Sequence, residues 1–355
     1  MKSKIRVLIV DDSSVVRSLL THILSSDPGI EVVGVASDPY IAREKLVSLK
    51  PDVMTLDIEM PRMDGITFLE KVMKHFPIPT IIVSSLSVRG SETAYRALEV
   101  GAVDVVAKPA IDVTKALNQI GQHLIETVKA AARVDMNKHK VVRSEQVVAS
   151  RPTGSSTALI RTTHQVLAIA SSTGGTEALK VVLPRLPADL PGTVVVQHMP
   201  PVFTKTFAEH LQKLCPFEVK EAQDGDRVNP GRVLIAPGNY HMELSRSGAY
   251  YYVHLHQQPQ LHGVRPAADY LMWSVAKVAG ANAIGVVLTG MGKDGADGLL
   301  KMKEAGAYNI AQDEKSCIVF GMPKEAIDLG AIHKTLPLDK ISDELRIQFS
   351  KREVA

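Results

Sequence analysis

Three side chains far apart in the chain have the types and settings that acyl transfer needs. Ser172 lies in the run Ala168-Ile169-Ala170-Ser171-Ser172-Thr173-Gly174-Gly175, after the apolar stretch Val166–Ala170 and before Thr176-Glu177-Ala178-Leu179-Lys180. That pattern reads as strand, tight turn and helix start, with a hydroxyl at the corner. A corner serine points its oxygen out of the sheet, and the two glycines leave backbone N–H groups at a helix N-terminus where an oxyanion can be held. Taken alone, Ser-x-Gly-Gly also suits a phosphate-binding turn. A serine hydroxyl is a poor nucleophile until a base takes its proton. His198 is placed for that role: it follows the expected strand Thr193–Gln197, and Met199-Pro200-Pro201 stops any extension. The base in turn needs an acid to fix its tautomer. Asp294 follows the apolar Gly285–Leu288 and the turn Thr289-Gly290-Met291-Gly292-Lys293. Asp297 and Asp313 compete with Asp294, and Ser171 competes with Ser172. The order Ser…His…Asp, without Gly-x-Ser-x-Gly at this turn, sets the chain apart from α/β-hydrolases.

A second, unrelated constellation is acidic. Asp11 and Asp12 end the first apolar run and Asp57 ends the third. If those strands are neighbours, three carboxylates meet at one sheet edge and repel by roughly several kcal/mol at an effective dielectric near 20. A divalent cation relieves this, and magnesium suits an all-oxygen set that keeps its waters. Lys108, after the fifth run, brings an ammonium that can hold a phosphoryl oxygen, and Ser84, at the end of the fourth, brings a hydroxyl. The alternative is that these aspartates cap helices, a reading that fits Asp12 best.

Both constellations need parallel sheets to assemble them. Apolar runs at Ile5–Val10, Glu31–Val35, Val53–Leu56, Thr80–Ser84 and Val103–Ala107 alternate with helical patterns such as Val15, Val16, Leu19, Leu20, Ile23 and Leu24. Strands separated by helices imply right-handed crossovers and a parallel sheet covered on both faces. The first domain is therefore expected to be α/β, flavodoxin-like and five-stranded in the order 2-1-3-4-5, with its site at the carboxyl ends of the strands. From about Thr127 the pattern loosens into a polar, basic stretch that ends in Arg-Pro-Thr-Gly-Ser-Ser-Thr and reads as a linker. Strands are then expected at Gln165–Ala170, Thr193–Gln197, Arg232–Ala236, Tyr250–His254 and Ala283–Leu288, and helices at Thr176–Val182, Lys205–Lys213, Ala267–Val278 and Asp294–Ala305. They describe a second doubly wound α/β domain, also expected to be parallel. The divisions fall at about 3–125, 126–160 and 161–350.

Composition narrows the function classes. The chain has 355 residues, 45% of them hydrophobic and 22% charged, within the usual range for globular proteins. No segment reaches the ~18 consecutive apolar residues of a membrane span, and the start of the chain carries no signal-peptide pattern. The only cysteines are Cys215 and Cys317, too few for a disulfide framework or a metal cluster, as expected in the reducing cytoplasm. Residues 1–125 carry 14 Lys+Arg against 15 Asp+Glu, residues 126–162 carry 7 against 3, and residues 163–355 carry 20 of each. The basic excess sits wholly in the middle stretch, which argues against nucleic-acid binding by either folded half.

The acidic set resembles the receiver domain of two-component response regulators. The resemblance rests on Val10-Asp11-Asp12-Ser13, Leu56-Asp57-Ile58-Glu59-Met60-Pro61, Met63-Asp64-Gly65 and Lys108-Pro109, with Val105 departing from the aromatic that many receivers place there. It implies phosphorylation of Asp57 by a histidine kinase, Mg2+ held at Asp11, Asp12 and Asp57, and sensing of the phosphoryl group by Ser84 and Lys108. The second half resembles the catalytic domain of the chemotaxis protein-glutamate methylesterase family, CheB. Its matching stretches are Ser171–Glu177, Gln197-His198-Met199, Ile235-Ala236-Pro237-Gly238, Arg265-Pro266, Leu288–Gly295, Gln312-Asp313 and Gly321-Met322-Pro323. This resemblance implies Ser172 as nucleophile, His198 as base, Asp294 as acid, and an oxyanion hole at the backbone of Thr173 and Met291. It further implies metal-free hydrolysis of methyl esters on the cytoplasmic domains of chemoreceptors, with deamidation of glutamines as a second activity.

Overall fold

A computed structural model of the chain describes residues 4–60, 63–108, 114–136 and 165–351. Most of the basic linker, together with the motif prolines Pro61 and Pro109, lies outside the described residues. The chain divides into two compact units, one amino-terminal and one carboxy-terminal, with the short stretch Met199–Thr206 grouped with the first.

In the first unit, five strands alternate with five helices: β1 (Ile5–Val10), α1 (Ser14–Ser25), β2 (Ile30–Ala36), α2 (Pro39–Leu49), β3 (Val53–Leu56), α3 (Gly65–His75), β4 (Thr80–Ser84), α4 (Val88–Val100), β5 (Asp104–Ala107) and α5 (Thr114–Ala131). The sheet order is β2-β1-β3-β4-β5, with every neighbouring pair parallel, as expected. Burial on both faces explains the continuous apolar runs: Val7, Leu8 and Ile9 of β1 and Val53, Met54 and Leu56 of β3 are wholly buried. Side chains at Ser13, Asp38, Asp64 and Ser87 cap the four helices that follow them. Asp12 is therefore not the cap of α1. The last helix, α5, runs past residue 125 to Ala131.

The second unit is built on seven strands: β6 (Val166–Ser171), β7 (Gly192–Gln197), β8 (Glu218–Glu221), β9 (Arg232–Ile235), β12 (Ala283–Val287), β13 (Tyr308–Gln312) and β14 (Lys334–Leu336). They form one sheet in the order β14-β13-β12-β6-β7-β9-β8. Every pair is parallel. The chain adds strands on one side of β6 and then returns to add β12, β13 and β14 on the other. The winding thus reverses at β6, and the carboxyl ends of β6 and β12 border the crevice where doubly wound sheets carry their sites.

The expected strand Tyr250–His254 does not belong to this sheet. It lies in β11 (Tyr250–His256), which pairs antiparallel with β10 (His241–Ser247) in a separate hairpin. Buried Tyr251 and Val253 alternate with exposed Tyr250 and His254, the pattern of a strand covered on one face only. Strands β8, β10, β13 and β14 were not anticipated from sequence. Helices α6 (Gly175–Val182), α7 (Phe203–Leu214, from Phe207 onward), α8 (Ala268–Val278), α9 (Ala296–Glu304), α10 (Met322–Asp328) and α11 (Leu338–Lys351) complete the unit. Its core joins Val194 and Val196 of β7 to Leu271, Met272 and Val275 of α8 and to Met242 and Val253 of the hairpin.

Candidate active site

Strand register sets the first two residues of the site side by side. The β6–β7 pairing ends at Ser171 opposite Gln197, so Ser172 and His198 leave neighbouring strands at the same level. The His198 N–H donates to the Ser171 carbonyl at 3.0 Å, and the Ser172 N–H to the Thr289 carbonyl at 3.1 Å. Thr289 ties the two turns together: its hydroxyl donates to the Thr173 carbonyl at 3.0 Å and accepts from the Val319 N–H at 2.9 Å. The next residue must be glycine, because a Cβ on Gly290 would lie 2.8 Å from the Ser172 Cβ and closer still to the Met322 sulfur. Ser172 retains 7% of its surface, and its hydroxyl makes no hydrogen bond among the described residues.

Asp294 reaches His198 across the crevice. Oδ2 of Asp294 lies 2.7 Å from Nε2 of His198, whose side chain is 5% exposed. The same carboxylate accepts the Ala268 N–H at 2.6 Å and the Asp269 N–H at 3.0 Å, the opening amides of α8. Helix α8 has no side-chain cap of its own, so Asp294 supplies one from a neighbouring loop. Burial works to raise the Asp294 pKa. The hydrogen bond and charge of His198, with the two amides, outweigh it and hold the carboxyl below the usual range. The carboxylate therefore stays ionised although buried. Asp269 answers in kind: its Oδ1 accepts the Gly298 N–H of α9 at 2.7 Å, and its Oδ2 meets Nε2 of His262 at 2.8 Å. Burial, and then the charge of Asp294, push Asp269 above its ordinary value. His262, Asp269 and Asp294 bring ligand-type atoms within 4.8 Å of one another. Their partners are already His198 and three backbone amides, so the protein itself satisfies this group.

The competing residues are engaged elsewhere. Ser171 is fully buried and donates its hydroxyl to Oε1 of Gln197 at 2.6 Å. Asp297 accepts the Trp273 indole N–H at 2.7 Å, and Asp313 holds Ser316 through its backbone N–H and hydroxyl. Burial pushes the Cys215 thiol up to about 12 and the buried Cys317 thiol well above its ordinary value, so neither is a thiolate nucleophile near neutrality. The Met291 N–H, at the expected oxyanion position, makes no hydrogen bond among the described residues. Thr173 is buried.

At the carboxyl edge of the first sheet, Asp11, Asp12 and Asp57 place carboxylate oxygens within 4.8 Å of one another. Lys108 Nζ lies 2.7 Å from Asp57 Oδ2 and 3.0 Å from Asp11 Oδ2. Asp57 Oδ1 accepts the Glu59 N–H at 3.1 Å. Desolvation raises the Asp57 pKa, an effect that Lys108 only partly offsets. Burial alone would lower the Lys108 pKa, but the hydrogen bonds and charges of Asp57 and Asp11 leave it raised. Oδ2 of Asp11 is buried and has the Lys108 ammonium as its ion-pair partner. Three carboxylates whose oxygens lie this close form an all-oxygen set that fits a hard divalent cation. Ser84 lies at the same edge, with its hydroxyl directed to the Gly90 carbonyl at 3.4 Å.

Sequence reasoning missed the residues that support these groups. Gln197 appeared only as a neighbour of His198, and the α8 amides that hold Asp294 carry no side-chain signature. His241 is fully buried below α8. Its Nδ1 accepts the Ala267 N–H at 3.1 Å and its Nε2 donates to the Pro259 carbonyl at 3.1 Å.

An acidic phosphoacceptor-type pocket on one sheet, and a serine beside a buried histidine–aspartate pair on another, define a response regulator with a hydrolase output. Family models agree: the response regulator receiver domain matches residues 7–120, and the CheB methylesterase matches residues 167–345. A protein of Bdellovibrio bacteriovorus named protein-glutamate methylesterase/protein-glutamine glutaminase is 65% identical over 355 residues, covering 100% of each chain. A Salmonella typhimurium protein of the same name is 49% identical, covering 98% of each. The crystal structure of the Thermotoga maritima CheB methylesterase catalytic domain aligns with TM-score 0.51 and 42% identity, over 52% of this chain and 98% of that one. The chain belongs to the CheB methylesterase family.

Proposed function

We propose that the chain is a phosphorylation-regulated protein-glutamate methylesterase and protein-glutamine glutaminase acting on chemoreceptors in the cytoplasm, with Ser172, His198 and Asp294 as its catalytic set. The observation that carries the reading is the 2.7 Å contact of a buried, ionised Asp294 with Nε2 of His198, which follows the strand next to the one that leads to Ser172. With Nε2–H given to Asp294, Nδ1 of His198 holds the lone pair and serves as the base. Ser172 Oγ attacks the carbonyl carbon of a γ-methyl glutamate while its proton passes to His198. The backbone N–H groups at Thr173 and Met291 stabilise the oxyanion. His198 returns the proton to departing methoxide, releasing methanol, and water then hydrolyses the acyl-enzyme to glutamate by the same route. On a glutamine the leaving group is ammonia.

The receiver is assigned to about 3–125, the linker to 126–160 and the hydrolase to 161–350. Asp57 takes a phosphoryl group from a histidine kinase, and Ser84 and Lys108 contact it. Asp11, Asp12 and Asp57 would hold Mg2+, which when bound neutralises charge on the phosphoryl oxygens. Among the described residues no helix is long and apolar enough to cross a membrane.

Methanol release from methylated receptor membranes tests this reading in wild type, Ser171→Ala and Ser172→Ala, each with and without a small phosphodonor. Ser172→Ala is expected to lose several orders of magnitude in rate and Ser171→Ala to stay active. The phosphodonor should raise the wild-type rate. A Ser172→Ala variant as fast as wild type would overturn the assignment.

A further inference from the structure

We infer that Gln197 is a positioning residue for the hydrolytic reaction: its amide ties the backbone of the nucleophile's turn to that of the base. The inference rests on the reading of Ser172 and His198 given above. Gln197 ends β7 and is 2% exposed. Its Nε2 lies 2.9 Å from the Ser172 carbonyl oxygen and 3.1 Å from that of His198. Carbonyls only accept, so both amide protons are committed and the amide has one orientation. Oε1 then faces Ser171, whose hydroxyl must donate to it, at 2.6 Å.

The arrangement leaves the amide no slack. The Ser172 carbonyl takes a second hydrogen bond from the Gly175 N–H at 2.6 Å. Helix α6 starts hard against the amide, since a Cβ on Gly175 would overlap Oε1. The β6–β7 ladder ends with the His198 N–H on the Ser171 carbonyl. Beyond that rung, among the described residues, no backbone pairing holds the Ser172 turn to the start of the His198 loop. The Gln197 side chain supplies the next tie. It touches neither reacting group. Its effect is on where Ser172 and His198 stand, and a displacement on the order of 1 Å can cost about 100-fold in rate.

Covalent labelling of the full-length chain by a fluorophosphonate reports serine reactivity without receptor binding. Gln197→Met keeps the size and removes the donors. Held well below its melting temperature, this variant should label about 10–100-fold more slowly. Its kcat for methanol release should fall in parallel and its KM for methylated receptor should hold within about twofold. A merely structural role would lower the melting temperature and leave the labelling rate of the folded fraction unchanged, and that result overturns the proposal. If Gln197→Met does not fold, Ser171→Ala decides. It should slow labelling about two- to fivefold, the scale of one neutral hydrogen bond, and an unchanged rate there overturns the proposal. Label retained in Ser172→Ala would instead remove the nucleophile assignment, and the proposal with it.

Discussion

Asp294 meets His198 at Nε2 rather than Nδ1, at 2.7 Å, so Nδ1 is the ring nitrogen this carboxylate does not engage. The same carboxylate caps α8 through the Ala268 and Asp269 amides, so one side chain serves both the imidazole and the helix that holds it in place.

Asp294→Asn removes the charge and keeps the shape. An amide there cannot accept from His198 and from both α8 amides at once. We expect kcat to fall on the order of 10³–10⁴-fold with KM little changed. Urea unfolding should show a loss of about 1–2 kcal/mol from the missing cap. Activity within tenfold of wild type would separate Asp294 from the chemistry.

Gly290→Ala tests the close approach of the Thr289–Met291 turn to Ser172. The new methyl would meet both the Ser172 Cβ and the Met322 sulfur well inside contact distance. Overpacking of this kind costs about 1–3 kcal/mol, and the turn must move to relieve it. Slower fluorophosphonate labelling and a lowered melting temperature are expected together, and an unperturbed variant would mean that the turn is not rigid.

His241 gives the hydrolase unit a pH dependence of known sign. Desolvation holds its folded pKa below the ordinary 6.5, and Nδ1 already accepts the Ala267 N–H, so a second proton has no place to go. A depressed pKa contributes stability that is fully present above the unfolded value and is lost as pH falls through the folded one. Urea midpoints should therefore drop between about pH 6.5 and the more acidic side. His241→Asn should flatten this part of the profile.

The two chemistries separate by mutation. Asp57→Asn should take no phosphoryl label from a small phosphodonor on a phosphate-affinity gel, while Ser172→Ala labels like wild type. Phosphorylation that survives in Asp57→Asn would place the acceptor elsewhere.

Strand ends were the legible part of the chain. Ser172, His198, Asp11, Asp57 and Lys108 each follow an apolar run, and a parallel sheet carries such positions to one edge whatever the details of packing. Partners were less legible. The alternation at Tyr250–His256 marks a half-buried strand but does not say what it pairs with, and it proved to be a hairpin. Short, polar β8 (Glu-Val-Lys-Glu) and β14 (Lys-Thr-Leu) have almost no apolar signal because they sit at the sheet's two edges. In β13 the polar Asn309 and Gln312 look like loop residues until their hydrogen bonds to Leu299, Ala331 and Thr289 are seen. The support around the site was invisible for the same reason: Gln197, His241 and the α8 amides act through neighbours remote in sequence.

Asp294 and Asp269 each complete the first turn of the helix that the other one precedes or opens. Such mutual dependence makes the docking of the two segments a single event. Deuterium should accordingly enter at Ala268, Asp269 and Gly298 through one shared opening.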